Sequence, residues 1–400
     1  MAHSNTILHQ LLGLLPRHQF DEFVSGLDGD RYVKTFSTWN QLSVLLYAQA
    51  SGKQSLREIQ NGLIAQGRKT YHLGLARGVP KSTLADANAN RDYRIYEQLF
   101  YTLLGRCRDL TPEHRFRFKN PLFSLDATVI DLCLATFPWA KFRARKGALK
   151  LHYQFDHSGG LPVFLTVTDG KKHELTVAKS DILIVPDSIY CFDKAYIDYS
   201  WFRRISDEKA FFVSRVKNNM VARFVGQHET PKKPGIIFDD VIEMGGFYTR
   251  QDYPGKLRHI GYYDAETDRY LEFMTNNFTL AAATIAAIYK ARWQIEIFFK
   301  WIKQNLKIKT FLGTSKNAVM TQIWVAMCYY LMLAYVKYQT RYKPSLFYLH
   351  RLVRETLLEH ASLFDLLNLN EARLALLKRQ DPQLCLQLWC SQEFGPRAKV

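Results

Sequence analysis

Over the first ~120 residues the apolar positions recur at helical rather than strand spacing. Thr38 to Ala50 carries one such pattern. Ser55, with Glu58 three residues on, reads as a capped helix start, because a Ser hydroxyl accepts an otherwise unpaired backbone N–H. After a Gly- and basic-rich stretch, Pro80 suits the first turn of a further short, polar helix that opens with Lys81, Ser82 and Thr83. From Leu122 the pattern changes to strands. Leu122 to Ile130 is an apolar run with Asp126 inside it. Leu151 to Phe155 and Val163 to Thr168 follow, joined by the turn Asp156-His157-Ser158-Gly159-Gly160. Helix and strand then alternate: a helix over Glu174 to Ile184, a strand over Ser188 to Asp193, a helix over Ile197 to Ser206, a strand over Ala210 to Val216. Residues 217–276 interrupt that rhythm with strand-like runs at Lys256 to Tyr263 and Arg269 to Met274. Helical spacing returns near Leu280 and runs past Val336. After Lys343-Pro344, a Leu-rich amphipathic stretch spans Leu346 to Leu377.

Composition sharpens this picture at three points. With 400 residues, 47% of them apolar, the chain can build cores for two to four folded units. The charge is +17, from 54 Lys and Arg against 37 Asp and Glu, which favours a polyanionic partner such as nucleic acid. On that reading, the helix, turn and polar helix opening at Lys81-Ser82-Thr83 resemble a helix-turn-helix DNA reader, although the same hairpin also serves as plain scaffold. The six cysteines form no Cys-x-x-Cys pair, which disfavours zinc and disulfides and suits a reducing cytoplasm. The N-terminal stretch lacks the basic-then-apolar pattern of a signal peptide. Residues Asn317 to Val336 carry no charge, but only Ile323 to Val336 is strongly apolar, short of the ~20 residues a membrane span needs. A buried core helix is expected there.

Candidate chemistry gathers on acids. Tyr289, Arg292, Glu296 and Lys303 stand at steps of three, four and seven, which return to one face of a helix. Between Lys290 and Lys316 seven Lys and Arg surround one acid, Glu296. That acid is either an ordinary salt-bridge partner of Arg292 or Lys300, or a metal ligand whose cationic neighbours hold phosphate. Asp126 lies inside an apolar strand, where an ionised side chain is costly unless it binds something. Asp193 ends another apolar strand, where sheet enzymes place ligands. Three carboxylates can hold a pair of Mg²⁺ or Mn²⁺ ions. Asp131, Asp156, Asp169, Asp181, Asp187 and Asp198 are rivals. Asp131, five residues beyond Asp126, falls on the opposite strand face.

Tyr289-x2-Arg292-x3-Glu296-x6-Lys303 resembles the signature of DDE transposases of bacterial insertion sequences, in the cut-and-paste branch known as family four. Leu125-Asp126-Ala127-Thr128 is similar to that family's first-aspartate strand. Phe192-Asp193-Lys194-Ala195-Tyr196 is similar to its second-aspartate block, departing from it at Lys194-Ala195, where many relatives have a small or basic residue and Gly. The likeness covers about Pro121 to Val336. It implies an α/β fold: a ribonuclease-H-like catalytic core over 119–216 and 277–343, a β-rich insertion over 217–276, a helical DNA-binding region over 1–118 and a helical C-terminal region over 344–400. It implies Asp126, Asp193 and Glu296 as catalytic ligands of two Mg²⁺ or Mn²⁺ ions. It implies phosphate contacts from Tyr289, Arg292 and Lys303, and a base contact from Trp293. Further DNA contacts are expected from Lys300, Lys307, Arg215, Arg143, Arg145, Lys146, Lys81, Ser82 and Thr83.

The expected function is excision and insertion of an insertion sequence by hydrolysis and strand transfer. Partners would be the terminal inverted repeats, target DNA and a second copy of the chain, in the bacterial cytoplasm with the nucleoid. A metal-dependent nuclease of the same fold, or a non-catalytic DNA-binding derivative of a transposase, would share most of these features.

Overall fold

A computed structural model describes residues 5–75, 78–143, 146–228, 233–305, 311–363 and 365–367. Helices come first: α1 (Ile7–Leu12), α2 (Arg17–Gly26), α3 (Thr38–Ser51), α4 (Leu56–Gln66), α5 (Lys81–Asn90) and α6 (Arg94–Arg108). Strands β1 (Leu122–Leu132), β2 (Lys141–Arg143), β3 (Lys146–Asp156) and β4 (Leu161–Asp169) follow. Next come α7 (Glu174–Asp181), β5 (Ile189–Phe192), α8 (Tyr199–Asp207) and β6 (Phe211–Arg215). The insertion holds β7 (Ala222–Gln227), β8 (Ile236–Met244), α9 (Phe247–Asp252), β9 (Leu257–Asp264) and β10 (Arg269–Thr275). Helices α10 (Ala282–Ala291), α11 (Trp293–Asn305), α12 (Lys316–Gln339) and α13 (Leu346–Thr356) complete the described order.

Two compact units result, one of residues 112–300, the other of 1–111 with 301 onward. This grouping differs from the sequence-based division: α12, expected within the catalytic core, packs with the N-terminal helices.

In the unit of residues 112–300, β1, β3 and β4 are antiparallel neighbours, and β5 and β6 run parallel to β1 on its other side. The order β4-β3-β1-β5-β6 is that of a ribonuclease-H-like sheet. Strand β10 then pairs antiparallel with β6, so the insertion continues the same sheet through β9, β8 and β7. Strand β5 (Ile-Tyr-Cys-Phe) is buried at every position because helices cover both sheet faces. On one face Phe123, Leu125, Tyr190, Phe192 and Phe212 pack with Trp201, Phe202 and Ile205 of α8. On the other, Leu122, Cys191 and Val213 meet Ile285, Ala286 and Ile288 of α10. Gly159 and Gly160, at φ 70° and 65°, make the β3–β4 turn, a backbone region that L side chains resist.

In the other unit, α12 is the core element. Cys107 of α6 reaches Leu331 O, Cys328 reaches Tyr96 O, and Tyr329 meets His350 of α13. This 24-residue helix is long and apolar enough to cross a membrane by length and composition, more so than the sequence count allowed, but 94% of its apolar window is buried in the protein. Ser55 caps α4 as expected, accepting from Glu58 N. Pro80 is the residue before α5 rather than within it. Asn317 fixes the end of α5, donating to Asn88 O at 3.0 Å and accepting from Tyr93 N at 3.2 Å.

Candidate active site

Parallel pairing brings the first two acids together. Leu125 pairs with Phe192, and Phe192 with Ser214. The next positions along these strands are Asp126, Asp193 and Arg215, so all three stand at one end of the central sheet. Asp193 lies just beyond β5, and its Oδ1 accepts from Ala195 N at 2.8 Å, capping the short turn Lys194–Tyr196. Asp126 sits midway along β1, and its Oδ1 accepts from Ala127 N at 2.8 Å.

Arg292 joins Asp126 to Glu296. Its Nη1 donates to Asp126 Oδ2 at 3.3 Å and its Nη2 to Glu296 Oε1 at 2.7 Å. The expected single helical face is corrected here. Helix α10 ends at Ala291 and α11 begins at Trp293. Across the break, Arg292 N donates to Tyr289 O and Ile295 N to Arg292 O, both three residues back, a tighter turn than an α-helix. Tyr289 still belongs to the cluster, with the Arg292 guanidinium 5.6 Å from its ring centre and Phe273 on its other contacts.

The electrostatics follow from burial. Desolvation pushes the Asp126 carboxyl up to about 7, outweighing the Ala127 N–H and Arg292; Asp193 and Glu174 add to the rise. Burial works against the Arg292 charge, but Tyr289, Asp126, Cys191 and Glu296 outweigh it and hold the guanidinium protonated. Burial also pushes the Tyr289 phenol up to about 12. Arg292 Nε and Arg215 Nε are buried without a hydrogen-bond partner among the described residues.

Three carboxylates are a donor set of hard oxygens, suited to a hard divalent cation. Asp126 in particular is a half-buried acid whose charge the protein compensates only in part. Among the described residues, however, no group of three or more His, Cys, Asp or Glu is arranged to hold a metal ion. Arg292 donates to two of the three acids, Asp126 and Glu296.

Most rival acids have local duties. Asp156 accepts from Ser158 N, Asp169 from the amides of Lys171 and Lys172, and Asp198 caps α8 through Trp201 N. Asp131 is exposed. Glu174, read from sequence as a helix start, is the first residue of α7 and lies near enough to Asp126 to raise its pKa; it pairs with Lys150 at 3.4 Å.

The remaining expected residues scatter. Trp293 opens α11 at 58% exposure, so it is no core aromatic. Lys300 is exposed and Lys303 half-buried on α11. Lys307 and Arg145 lie outside the described residues. Arg143 ends β2 and Lys146 begins β3. Lys81, Ser82 and Thr83 form the first turn of α5, in the other compact unit, with Lys81 and Ser82 exposed. Among the described residues, Cys107, Cys133, Cys191 and Cys328 are free thiols.

Sequence reasoning passed over His157, Ser124 and Gln294, which hydrogen-bond in a row between β1 and α11. His157 looked like one residue of a turn, and its partners lie 33 and 137 positions away.

Comparison with known proteins identifies the family. The family described as "Transposase DDE domain" matches residues 117–332, and a domain of unknown function (DUF4372) matches residues 3–76. A protein named as transposase y4zB of Sinorhizobium fredii is 35% identical over 62% of this chain and 69% of its own length. One named as a transposase for insertion sequence element IS5377, from Geobacillus stearothermophilus, is 27% identical over 66% of this chain and 70% of its own. One named for element IS4SA, from Synechocystis, is 22% identical over 63% and 70%. A solved piggyBac transposase synaptic complex with hairpin DNA aligns at TM-score 0.43 and 10% identity, over 90% of this chain and 82% of that one, too weak a likeness to bear on fold or function. The family match spans more than half of the chain, and the chain belongs to the DDE transposases of insertion sequences.

Proposed function

We propose that this transposase is catalytically active on DNA, with Asp126, Asp193 and Glu296 as its catalytic carboxylates and two Mg²⁺ or Mn²⁺ ions as its cofactor. The observation that carries this reading is the link from Asp126 through Arg292 to Glu296, made across 166 residues of chain beside the strand end that bears Asp193. Bound to these carboxylates, such ions would ease deprotonation of an attacking water or 3′-hydroxyl and stabilise the leaving oxygen.

The other roles follow from side-chain chemistry. Arg292 and Arg215 each keep a buried, unpartnered Nε, and a guanidinium fork suits phosphate oxygens. Tyr289 stays protonated at neutral pH and can donate to a phosphate oxygen. Lys303, the last position of the four-residue signature, would contact phosphate. The exposed indole of Trp293 offers a stacking face to an extruded base. The first turn of α5, with Lys81, Ser82 and Thr83, would contact the terminal inverted repeats within a DNA-binding region over 1–118. Arg143, Arg145, Lys146, Lys300 and Lys307 would contact the backbone. Water would cut a strand at the element end, and the freed 3′-hydroxyl would attack a phosphate, on the opposite strand to give a hairpin and later on target DNA. Two copies of the chain would pair two DNA ends.

Glu296→Gln is expected to keep end-DNA binding in gel-shift assays and to lose strand cleavage. Full cleavage by that variant would refute the assignment. A cut end bearing a 3′-hydroxyl, incubated with target plasmid and Mn²⁺, should give joined product. Cleavage without joining would favour a nuclease of the same fold, and binding with neither a non-catalytic derivative.

A further inference from the structure

His157 opens the turn between β3 and β4 and is buried. Its backbone N–H donates to Leu122 O at 3.0 Å, which holds the ring beside β1. Nε2 lies 2.7 Å from Ser124 Oγ, and Nδ1 lies 3.1 Å from Gln294 Oε1. Ser124 is fully buried and stands two positions before Asp126, hence on the same face of β1. Gln294 stands two positions before Glu296, in the first turn of α11.

The protonation state of the ring follows from its surroundings. Burial lowers the imidazole to about 4, so it is neutral at working pH, with one donor and one acceptor nitrogen. Gln294 Oε1 can only accept, so Nδ1 carries the proton and Nε2 accepts from the Ser124 hydroxyl. Both ring nitrogens are satisfied. The chain strand–hydroxyl–imidazole–amide–helix thereby has a fixed direction and length.

The aromatic contacts across this seam are less directional. Phe298 of α11 meets Tyr153 and Phe155 of β3 at ring-centre distances of 5.2 and 5.3 Å, and aromatic surfaces tolerate sliding. Arg292 donates to both carboxylates but sits at the break between two helices.

We propose that His157 is a positioning residue: through Ser124 and Gln294 it sets the first turn of α11 against β1, and so the separation of Glu296 from Asp126. This rests on reading those two acids as the catalytic carboxylates. Partners that orient ligand-bearing groups are typically worth about 10- to 100-fold in metal affinity or activity.

The test uses the full chain. His157→Phe keeps a planar ring and removes both hydrogen bonds. His157→Asn keeps a polar atom near the Nδ1 position and can still reach Gln294. Mn²⁺ affinity is measured by electron paramagnetic resonance titration without DNA, cleavage kcat and KM on an end-DNA duplex, and folding by thermal melting. For His157→Phe, Mn²⁺ binding should weaken and kcat fall, each by about 10- to 100-fold, with KM for DNA unchanged. His157→Asn should recover part of both. If His157→Phe does not fold, Gln294→Met carries the same expectation. Wild-type Mn²⁺ affinity and kcat in the folded variant, with Glu296→Gln inactive, would overturn the positioning role and leave the site intact. So would a lowered melting temperature with Mn²⁺ affinity unchanged. Full cleavage by Glu296→Gln would instead overturn the site reading, and this proposal with it.

Discussion

Arg292 is held by more partners than any other side chain near the carboxylates. It donates to Asp126 and Glu296, lies over Tyr289, and keeps one buried N–H without a partner. A guanidinium can serve two carboxylates because its donors diverge in a plane, whereas an ammonium is a point charge. Arg292→Lys therefore keeps the charge and loses the fork. Its strand-cleavage rate is expected to fall by about 10- to 100-fold, the range found when a group orienting catalytic ligands is altered. Single-turnover cleavage of a labelled end duplex at saturating protein measures this directly. A rate within twofold of wild type would show that charge alone suffices. At this scale the sequence was informative where chemistry is local. A four-position pattern pointed to Tyr289, Arg292 and Glu296, and an acid in an apolar strand pointed to Asp126. Nothing local marked His157, because its role is defined only by groups that folding brings to it.

At the scale of elements, strands and caps were legible because their causes lie within a few residues. The two glycines after Ser158 make the turn, Ser55 caps its helix, and an all-apolar run gave the doubly covered strand β5. The break at Arg292 was not legible, since neither Gly nor Pro marks it and the tight turn depends on what Arg292 reaches. The short helix α9, with Phe247 and Tyr248 exposed, also lacked a periodic signal. The insertion is held together, and tied to the segment before α10, by the buried Arg258. Arg258 of β9, fully buried, donates from Nε and Nη2 to both oxygens of Asp239 on β8, at 2.7 and 2.6 Å. Its Nη1 donates to the carbonyls of Asn277 and Leu280, just before α10. Removing one partner leaves a buried charge uncompensated. Arg258→Met is expected to cost about 3–5 kcal/mol in urea unfolding, and the double variant with Asp239→Leu to restore most of that loss. A single variant costing under about 1 kcal/mol would show that water reaches Asp239.

For the whole molecule, a charge of +17 is an argument about association with polyanions, not about fold. It says that end-DNA binding should weaken steeply as salt rises, because each phosphate neutralised releases counterions. The two compact units divide the expected contacts: Lys81 belongs to one, Arg215 and Lys300 to the other. Lys81 is exposed at the start of α5, whose far end is fixed by Asn317, so its Cα is held while its ammonium is free to meet a phosphate. If it meets one, Lys81→Ala removes about one unit from the slope of log affinity against log salt concentration. The loss should be equal on cognate ends and on unrelated duplexes, since a phosphate contact carries no base information. Ser82 and Thr83 differ in kind, because a hydroxyl can read a base edge but releases no counterion. Ser82→Ala should therefore leave the salt slope alone and narrow the ratio of cognate to unrelated binding. Fluorescence anisotropy over a salt series, with both duplexes and both variants, separates the two effects. An unchanged slope for Lys81→Ala together with an unchanged ratio for Ser82→Ala would mean that α5 is scaffold, and that the phosphate contacts behind the positive charge lie elsewhere.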